Sequence, residues 1–267
     1  RMLYRTFGKT GWDVSVIGLG TWNIGNQWGE IDPATARATI DTALDNGVTL
    51  LDTADAYGIP PGLSEERLGH ALLGRRHHVR IVSKVGNFGK RSGRGVPMET
   101  ADMVRLCAHA SLHRLRTDYH DVLLCHEGGL EDPSAYLEGF SQLKAEGRLL
   151  CGGISTNRLD VLERFNRGGD CDVVEVEYNL LRRGPEAEFL PYCREHGIAV
   201  LVRGGVGQGV LSGRYGKDTR FEDSVRAKWH ANPERQALFE RDVEAANRLA
   251  RAVEPGPEMV RAALRFG

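Results

Sequence analysis

Four residues of types suited to proton transfer stand at or beside the ends of apolar runs. They are Asp52 and Tyr57 in Leu50-Leu51-Asp52-Thr53-Ala54-Asp55-Ala56-Tyr57, Lys84 in Ile81-Val82-Ser83-Lys84-Val85, and His126 after Leu123-Leu124-Cys125. Singly they have ordinary readings: an aspartate near a strand end anchors a loop, a tyrosine packs half-buried, a lysine is solvated. Asp52 and Lys84, however, are embedded in apolar runs, where an unpaired charge is costly. Pairing them with each other removes that cost and suggests a chemistry. A phenol is a poor acid near neutrality, with a reference pKa of about 10. An ammonium held against the Tyr57 oxygen would favour the phenolate, and a carboxylate behind the ammonium would keep it charged and oriented. His126 would donate a hydrogen bond to a substrate carbonyl and help to place it. Such a set supplies the proton of a carbonyl reduction and leaves the hydride to a cofactor.

Residues spread over 75 positions meet only if the fold gathers them. Short apolar runs alternate with longer amphipathic ones: Val14–Leu19, Thr49–Thr53, Val79–Val85, Asp121–His126, Leu149–Ser155, Val173–Tyr178 and Ala199–Arg203 are seven strand candidates. Asp32-Pro33 and Asp132-Pro133 each read as an N-cap followed by proline at the first helical position, and Gly47, Gly147 and Gly197 as helix stops. Strict alternation of strand and helix demands parallel pairing with both sheet faces covered. A doubly wound sheet would carry GxGxxG in its first turn, whereas Gly18-Leu19-Gly20-Thr21-Trp22 lacks the third glycine. A single-domain (β/α)8 barrel is therefore expected over residues 1–267, with the four ionisable residues converging at the strands' C-terminal ends.

The bulk numbers fit. The chain has 267 residues, 41% hydrophobic and 27% charged, with 35 basic and 36 acidic residues for a net charge of −1. That balance gives no reason to expect nucleic acid or an anionic membrane surface as partner. No apolar run approaches bilayer length and no targeting peptide is legible, so a cytoplasmic location is expected. Five cysteines without CxxC spacing read as reduced thiols, and no histidine or cysteine spacing suggests a metal.

The chain resembles the aldo-keto reductase family in seven segments that follow that family's order: Arg5–Gly20, Leu51–Gly69, Ile81–Val85, Ser111–His126, Gly153–Asn157, Val174–Asn179 and Gly207–Tyr215. The resemblance implies a catalytic tetrad of Asp52, Tyr57, Lys84 and His126, an N-terminal hairpin over Arg5–Val14 plugging the barrel bottom, and a nicotinamide cofactor, NADP(H) in preference to NAD(H). It also implies that Ser155 contacts the nicotinamide carboxamide. Thr156 stands where many members have asparagine, Glu175 where they have glutamine, and Arg203 where many stack an aromatic ring; a planar guanidinium can stack as well. Gly20, Thr21, Trp22 and Asp52 complete the nicotinamide side. Gly204, Gly205, Val206, Gly207, Gln208 and Gly209 offer backbone N–H groups to a diphosphate, with Arg214 adding charge. Trp22, Trp28, Tyr57, His126 and Trp229 are the expected walls of a pocket for a small carbonyl or alcohol substrate, and Gly86–Pro97, with Lys90, Arg91 and Arg94, reads as a flap.

Two other readings stay open. Lys84 on an inner strand suits Schiff-base chemistry, and the fold can serve as a cofactor-binding sensor or accessory subunit. After Ala199–Arg203 the chain offers a helix over Glu234–Val253 and the start of another at Pro257–Arg265, but no eighth strand. Seven strands leave unpaired edges, so the native chain is expected to continue beyond Gly267.

Overall fold

Each strand candidate becomes a strand except the first, which is divided. The structure, a computed structural model, describes residues 2–223 and 225–267, and at Arg91 the backbone alone. Strands β1 (Tyr4–Thr6) and β2 (Asp13–Ser15) form an antiparallel hairpin in which Arg5 faces Val14. The parallel sheet begins only at β3 (Leu19–Gly20). The expected run Val14–Leu19 is therefore not one strand. Its break lies where Ser15 N donates to Thr49 Oγ1 and Thr49 N donates to Ser15 Oγ, both at 2.9 Å, and Gly18 comes close to the Leu50 carbonyl. Those contacts lie more than thirty residues away in sequence, so no local pattern announces them.

The sheet continues through β4 (Leu50–Asp52), β5 (Arg80–Val85), β6 (His120–Cys125), β7 (Leu149–Ser155), β8 (Val173–Glu177) and β9 (Ala199–Arg203), each strand beside its predecessor in the chain. Helices α1 (Pro33–Asp45), α2 (Leu63–Ala71), α3 (Ala101–Leu115), α4 (Ser134–Ala145), α5 (Leu159–Phe165) and α6 (Phe189–Glu195) occupy the crossovers. They are followed by α7 (Ala227–His230), α8 (Pro233–Leu249) and α9 (Pro257–Phe266). The punctuation behaves as its chemistry requires. Asp32 Oδ1 accepts from Ala34 and Thr35 N–H at 2.9 Å ahead of Pro33. Asp132 Oδ1 accepts from Ser134 N–H at 2.9 Å, but α4 begins at Ser134, so Pro133 takes the N-cap position expected for Asp132 and is not the first helical residue. Gly47, Gly147 and Gly197 take φ of 85°, 70° and 63°, the left-handed conformation that ends a helix without a Cβ penalty.

The chain divides into two compact units, Arg1–Val174 with Tyr192–Val200, and Glu175–Pro191 with Leu201–Gly267. In the first, Ile40 of α1, Leu68 of α2, Leu51 of β4, Ile81 of β5 and Leu115 of α3 meet in one apolar layer. Burying each such side chain is worth roughly 1.5–3 kcal/mol. The hairpin lies at the strands' N-terminal ends, where Lys9 N donates to Gly197 O at 2.7 Å and the Arg80 guanidinium stacks on Trp12. In the second unit, Val210, Phe239, Val243, Ala246 and Met259 form a separate core. Among the described residues no helix is long and apolar enough to cross a membrane, and no group of three or more His, Cys, Asp or Glu could hold a metal. All five cysteines are free thiols.

Candidate active site

Register and alternation place the chemistry. In the parallel pairs, Asp52 faces Val82, Lys84 faces Leu124 and Cys125 faces Ile154. Successive β5 side chains point to opposite faces. Ser83 therefore meets the helices, donating to Glu65 of α2 at 2.6 Å, while Lys84 points to the other face. There the fully buried Lys84 ammonium meets three acceptors, one for each of its protons: Asp52 Oδ1 at 2.5 Å, Thr53 O at 3.0 Å and Tyr57 Oη at 3.2 Å. Burial alone would disfavour a charged amine, and the carboxylate compensates it. Asp52 keeps 20% side-chain exposure, so one side of the ion pair remains open.

Tyr57 is held from both sides. Its N–H donates to Ala54 O at 3.1 Å and its carbonyl accepts from Ser64 N–H at 3.2 Å, closing the turn that follows β4. Its ring stands edge-on to Trp22, centroids 4.8 Å apart, and to His126, 5.9 Å apart. His126 is the first residue after β6; its N–H donates to Val85 O at 2.8 Å and its carbonyl accepts from Asn87 Nδ2 at 2.8 Å. Four residues spread over 75 positions of sequence thus share one strand-end face.

The first loop is fixed to the Tyr57 loop. Ile59 N donates to Gly25 O at 2.8 Å, and a Cβ on Gly25 would stand 2.7 Å from Gly58 Cα, so only glycine allows this approach. Arg67 of α2 adds hydrogen bonds to Ile24 O, Asn26 Oδ1 and Ile31 O. Trp22 is placed against Tyr57 by these contacts, and Trp28 lies half-buried further along the same loop. Gly20 is exposed at the end of β3. Thr21 is fully buried, its N–H and hydroxyl both donating to Asp52 O and Ser64 Oγ lying 2.8 Å from its Oγ1. Its hydroxyl braces the Asp52 backbone.

Ser155 ends β7 at the same strand ends. The next hydroxyl, on Thr156, donates to Gly128 O at 2.6 Å and accepts from Arg158 N at 3.1 Å, so it ties two loops together. The Gly86–Pro97 segment is also tied down: Lys90 pairs with Glu127 at 2.7 Å, Val96 N donates to Phe88 O, and the Arg114 guanidinium lies over the Phe88 ring. The side chain of Arg91 lies outside the described residues.

In the second unit, Glu175 is buried on β8, and Arg203 ends β9 with its side chain exposed. Gly204, Gly205, Val206, Gly207, Gln208 and Gly209 follow as a chain of turns. Val206 at φ −102°, ψ 13° precedes Gly207 at φ 56°, a right-then-left succession of the kind that turns backbone N–H groups toward a common anion. Asn179, which the sequence reading passed over, donates from Nδ2 to Gly204 O at 2.8 Å and steadies this loop. Arg226, also passed over, reaches Gln208 O at 3.4 Å and Tyr215 Oη at 3.3 Å while pairing with Asp223. Arg214 is exposed and its guanidinium lies close to Gly256. Trp229 packs against the Phe221 and Phe239 rings, at 5.7 and 5.9 Å, as part of the second unit's aromatic cluster.

The Aldo/keto reductase family model matches residues 16–266, and the chain belongs to that family. It is 32% identical over 275 residues to the aldo-keto reductase YhdN of Bacillus subtilis, covering 99% of this chain and 81% of that one. It is also 32% identical over 228 residues to the NADH-specific methylglyoxal reductase of Escherichia coli, covering 79% of this chain and 69% of that one. Among solved structures, aldo-keto reductase AKR11C1 from Bacillus halodurans, in its holo form, superposes with a TM-score of 0.79 at 31% identity, over 100% of this chain and 82% of that one. The α/β fold, with its parallel sheet in chain order, matches the family's (β/α)8 fold, and the protein is a nicotinamide-dependent oxidoreductase of carbonyl groups.

Proposed function

We propose that Asp52, Tyr57, Lys84 and His126 form the catalytic centre, with Tyr57 as the acid that protonates the carbonyl oxygen during reduction. The observation that carries this reading is the buried Lys84 ammonium held between Asp52 Oδ1 at 2.5 Å and Tyr57 Oη at 3.2 Å. When bound, the reduced nicotinamide supplies the hydride to the carbonyl carbon. Tyr57 gives its proton to the carbonyl oxygen as negative charge builds there, and Lys84 stabilises the phenolate left behind. Asp52 keeps Lys84 charged and aimed, and His126 orients the carbonyl by a hydrogen bond. In the oxidative direction the same phenolate accepts the alcohol proton. Engagement of all three Lys84 donors by Asp52, Thr53 and Tyr57 favours this role over Schiff-base formation.

Ser155, Thr156, Glu175, Arg203, Gly20, Thr21 and Trp22 are assigned to the nicotinamide side of the cofactor, and the Gly204–Gly209 loop with Arg214 to its diphosphate. The turn geometry at Val206 and Gly207 supports the latter. Thr21 and Thr156 act through the backbone they brace, since their hydroxyls are already engaged. NADP(H), the commoner cofactor of the family, is the preferred one in this reading, and the NADH specificity of the E. coli relative makes NADH the necessary comparison. Trp22, Trp28, Tyr57 and His126 wall the substrate pocket in this reading, and Trp229 is assigned with them although its ring packs against Phe221 and Phe239. A cytoplasmic site of action fits the free thiols.

Fluorescence titration with NADPH and with NADH, followed by a panel of aldehydes, ketones and sugars at fixed cofactor, tests the reading. Saturable binding of NADPH tighter than NADH, with turnover of at least one carbonyl class, is expected. Binding without turnover across the panel would favour an accessory or sensor role, and tighter NADH binding would reverse the cofactor preference.

A further inference from the structure

Behind the Lys84 face lies a second group of buried ionisable side chains with no part in the proposed chemistry. Asp55, two residues before Tyr57, is 1% exposed, and neither of its carboxylate oxygens makes a hydrogen bond of good geometry. Glu65 of α2 is fully buried and well satisfied: Ser83 Oγ at 2.6 Å and Ser111 Oγ at 2.5 Å donate to Oε1, and Arg114 Nε donates to Oε2 at 2.7 Å. The titratable or charged groups facing Asp55 are Glu65 from α2 and Arg114 and Cys107 from α3, with the Gly86 and Ala56 N–H groups nearby. Two buried carboxyls therefore share one guanidinium, and that guanidinium is already bonded to Glu65. A second full negative charge in this place would be both desolvated and repelled.

The backbone of Asp55 connects this group to the catalytic one. Its N–H donates to the carbonyl of Lys84 at 3.0 Å, and the turn it opens closes with Tyr57 N–H on Ala54 O at 3.1 Å. Ser83, whose hydroxyl meets Glu65, adjoins Lys84 in the chain. We propose that Asp55 is a positioning residue for Tyr57 that works as a neutral carboxylic acid, keeping the Asp55–Tyr57 turn seated over the Glu65–Arg114 pair. Ionisation of Asp55 sets two carboxylates against each other under that turn and loosens the contact between Tyr57 Oη and Lys84 Nζ. Burial first, and Glu65 second, push the Asp55 carboxyl up to about 7, so the change falls at neutral pH. The inference rests on the proposed role of Tyr57.

The test compares kcat/KM at pH 6 and pH 8 in the wild type and in Asp55→Asn, which mimics the neutral acid. The wild-type ratio is expected to exceed that of Asp55→Asn by about tenfold, as follows from loss of one proton with a midpoint near 7. Equal ratios in the two proteins would overturn the proposal, because a merely structural Asp55 would scale both pH values alike. Should Asp55→Asn fail to fold, infrared spectroscopy of the wild type decides: a carboxylic-acid C=O band present at pH 6 and lost by pH 8 supports the proposal, and its absence at pH 6 refutes it. Tyr57→Phe is assayed alongside. If it retains full turnover, the catalytic reading fails on its own, whatever the Asp55 ratio shows.

Discussion

Lys84 Nζ lies 3.2 Å from Tyr57 Oη, although Lys84 stands on β5 and Tyr57 in the turn after β4, 27 positions apart in sequence. Sheet register creates that contact. Lys84 lies two residues beyond Val82, the partner of Asp52, on the inward-facing side of β5, and the turn after β4 folds Tyr57 back over it.

Replacing Lys84 with methionine keeps the side chain's bulk but removes the ammonium. The expected result is a fall in kcat of about 10²–10⁴, the usual worth of assisted proton transfer. Stability is expected to fall by up to about 3 kcal/mol, the low end for breaking a buried pair, because Asp52 retains contact with solvent. Steady-state kinetics and urea denaturation read the two effects separately. Undiminished kcat would remove Lys84 from the mechanism.

Asp55 predicts a pH dependence of stability. In the unfolded chain its carboxyl titrates near 3.8, whereas in the folded protein it holds its proton up to about 7. The folded state binds the extra proton between those values, so this contribution is fully present below about 4 and is lost as pH rises through 7. Its size is roughly 4 kcal/mol. Thermal unfolding of Asp55→Asn should therefore gain on the wild type steadily from pH 4 to about pH 7 and level off above it. A constant difference across that range would contradict the assignment.

Gly153 on β7 is required for close backbone approach: a Cβ there would collide with the Val173 carbonyl and crowd Leu124. Gly153→Ala forces the sheet to shift at that point. A loss of about 3 kcal/mol or more is expected, at the upper end for overpacked sites. Urea midpoints measure it, and a loss below about 1 kcal/mol would mean that the strands part easily.

Much of this was legible in the sequence because the signals are local. Asp32-Pro33, the glycine stops and the apolar runs each act through neighbours within a turn, and a lysine buried in an apolar run must find a carboxylate. What escaped depends on distant partners. The run Val14–Leu19 looked like one strand because the Ser15 and Thr49 hydrogen bonds that end it join positions 34 residues apart. Thr21 and Thr156 give no local sign that their hydroxyls meet Asp52 O and Gly128 O. Trp229 gave no sign of its Phe221 and Phe239 neighbours. Asp55 carries no local mark of its burial, which comes from distant groups such as Glu65 of α2 and Arg114 of α3.

Tyr57→Phe tests the central claim most directly, because it removes one oxygen and leaves the ring against Trp22 and His126. With cofactor affinity followed by fluorescence and carbonyl reduction by steady-state rate, the expected outcome is near-native binding and a kcat at least about 10²-fold lower. A variant that reduces carbonyls at the wild-type rate would contradict the account.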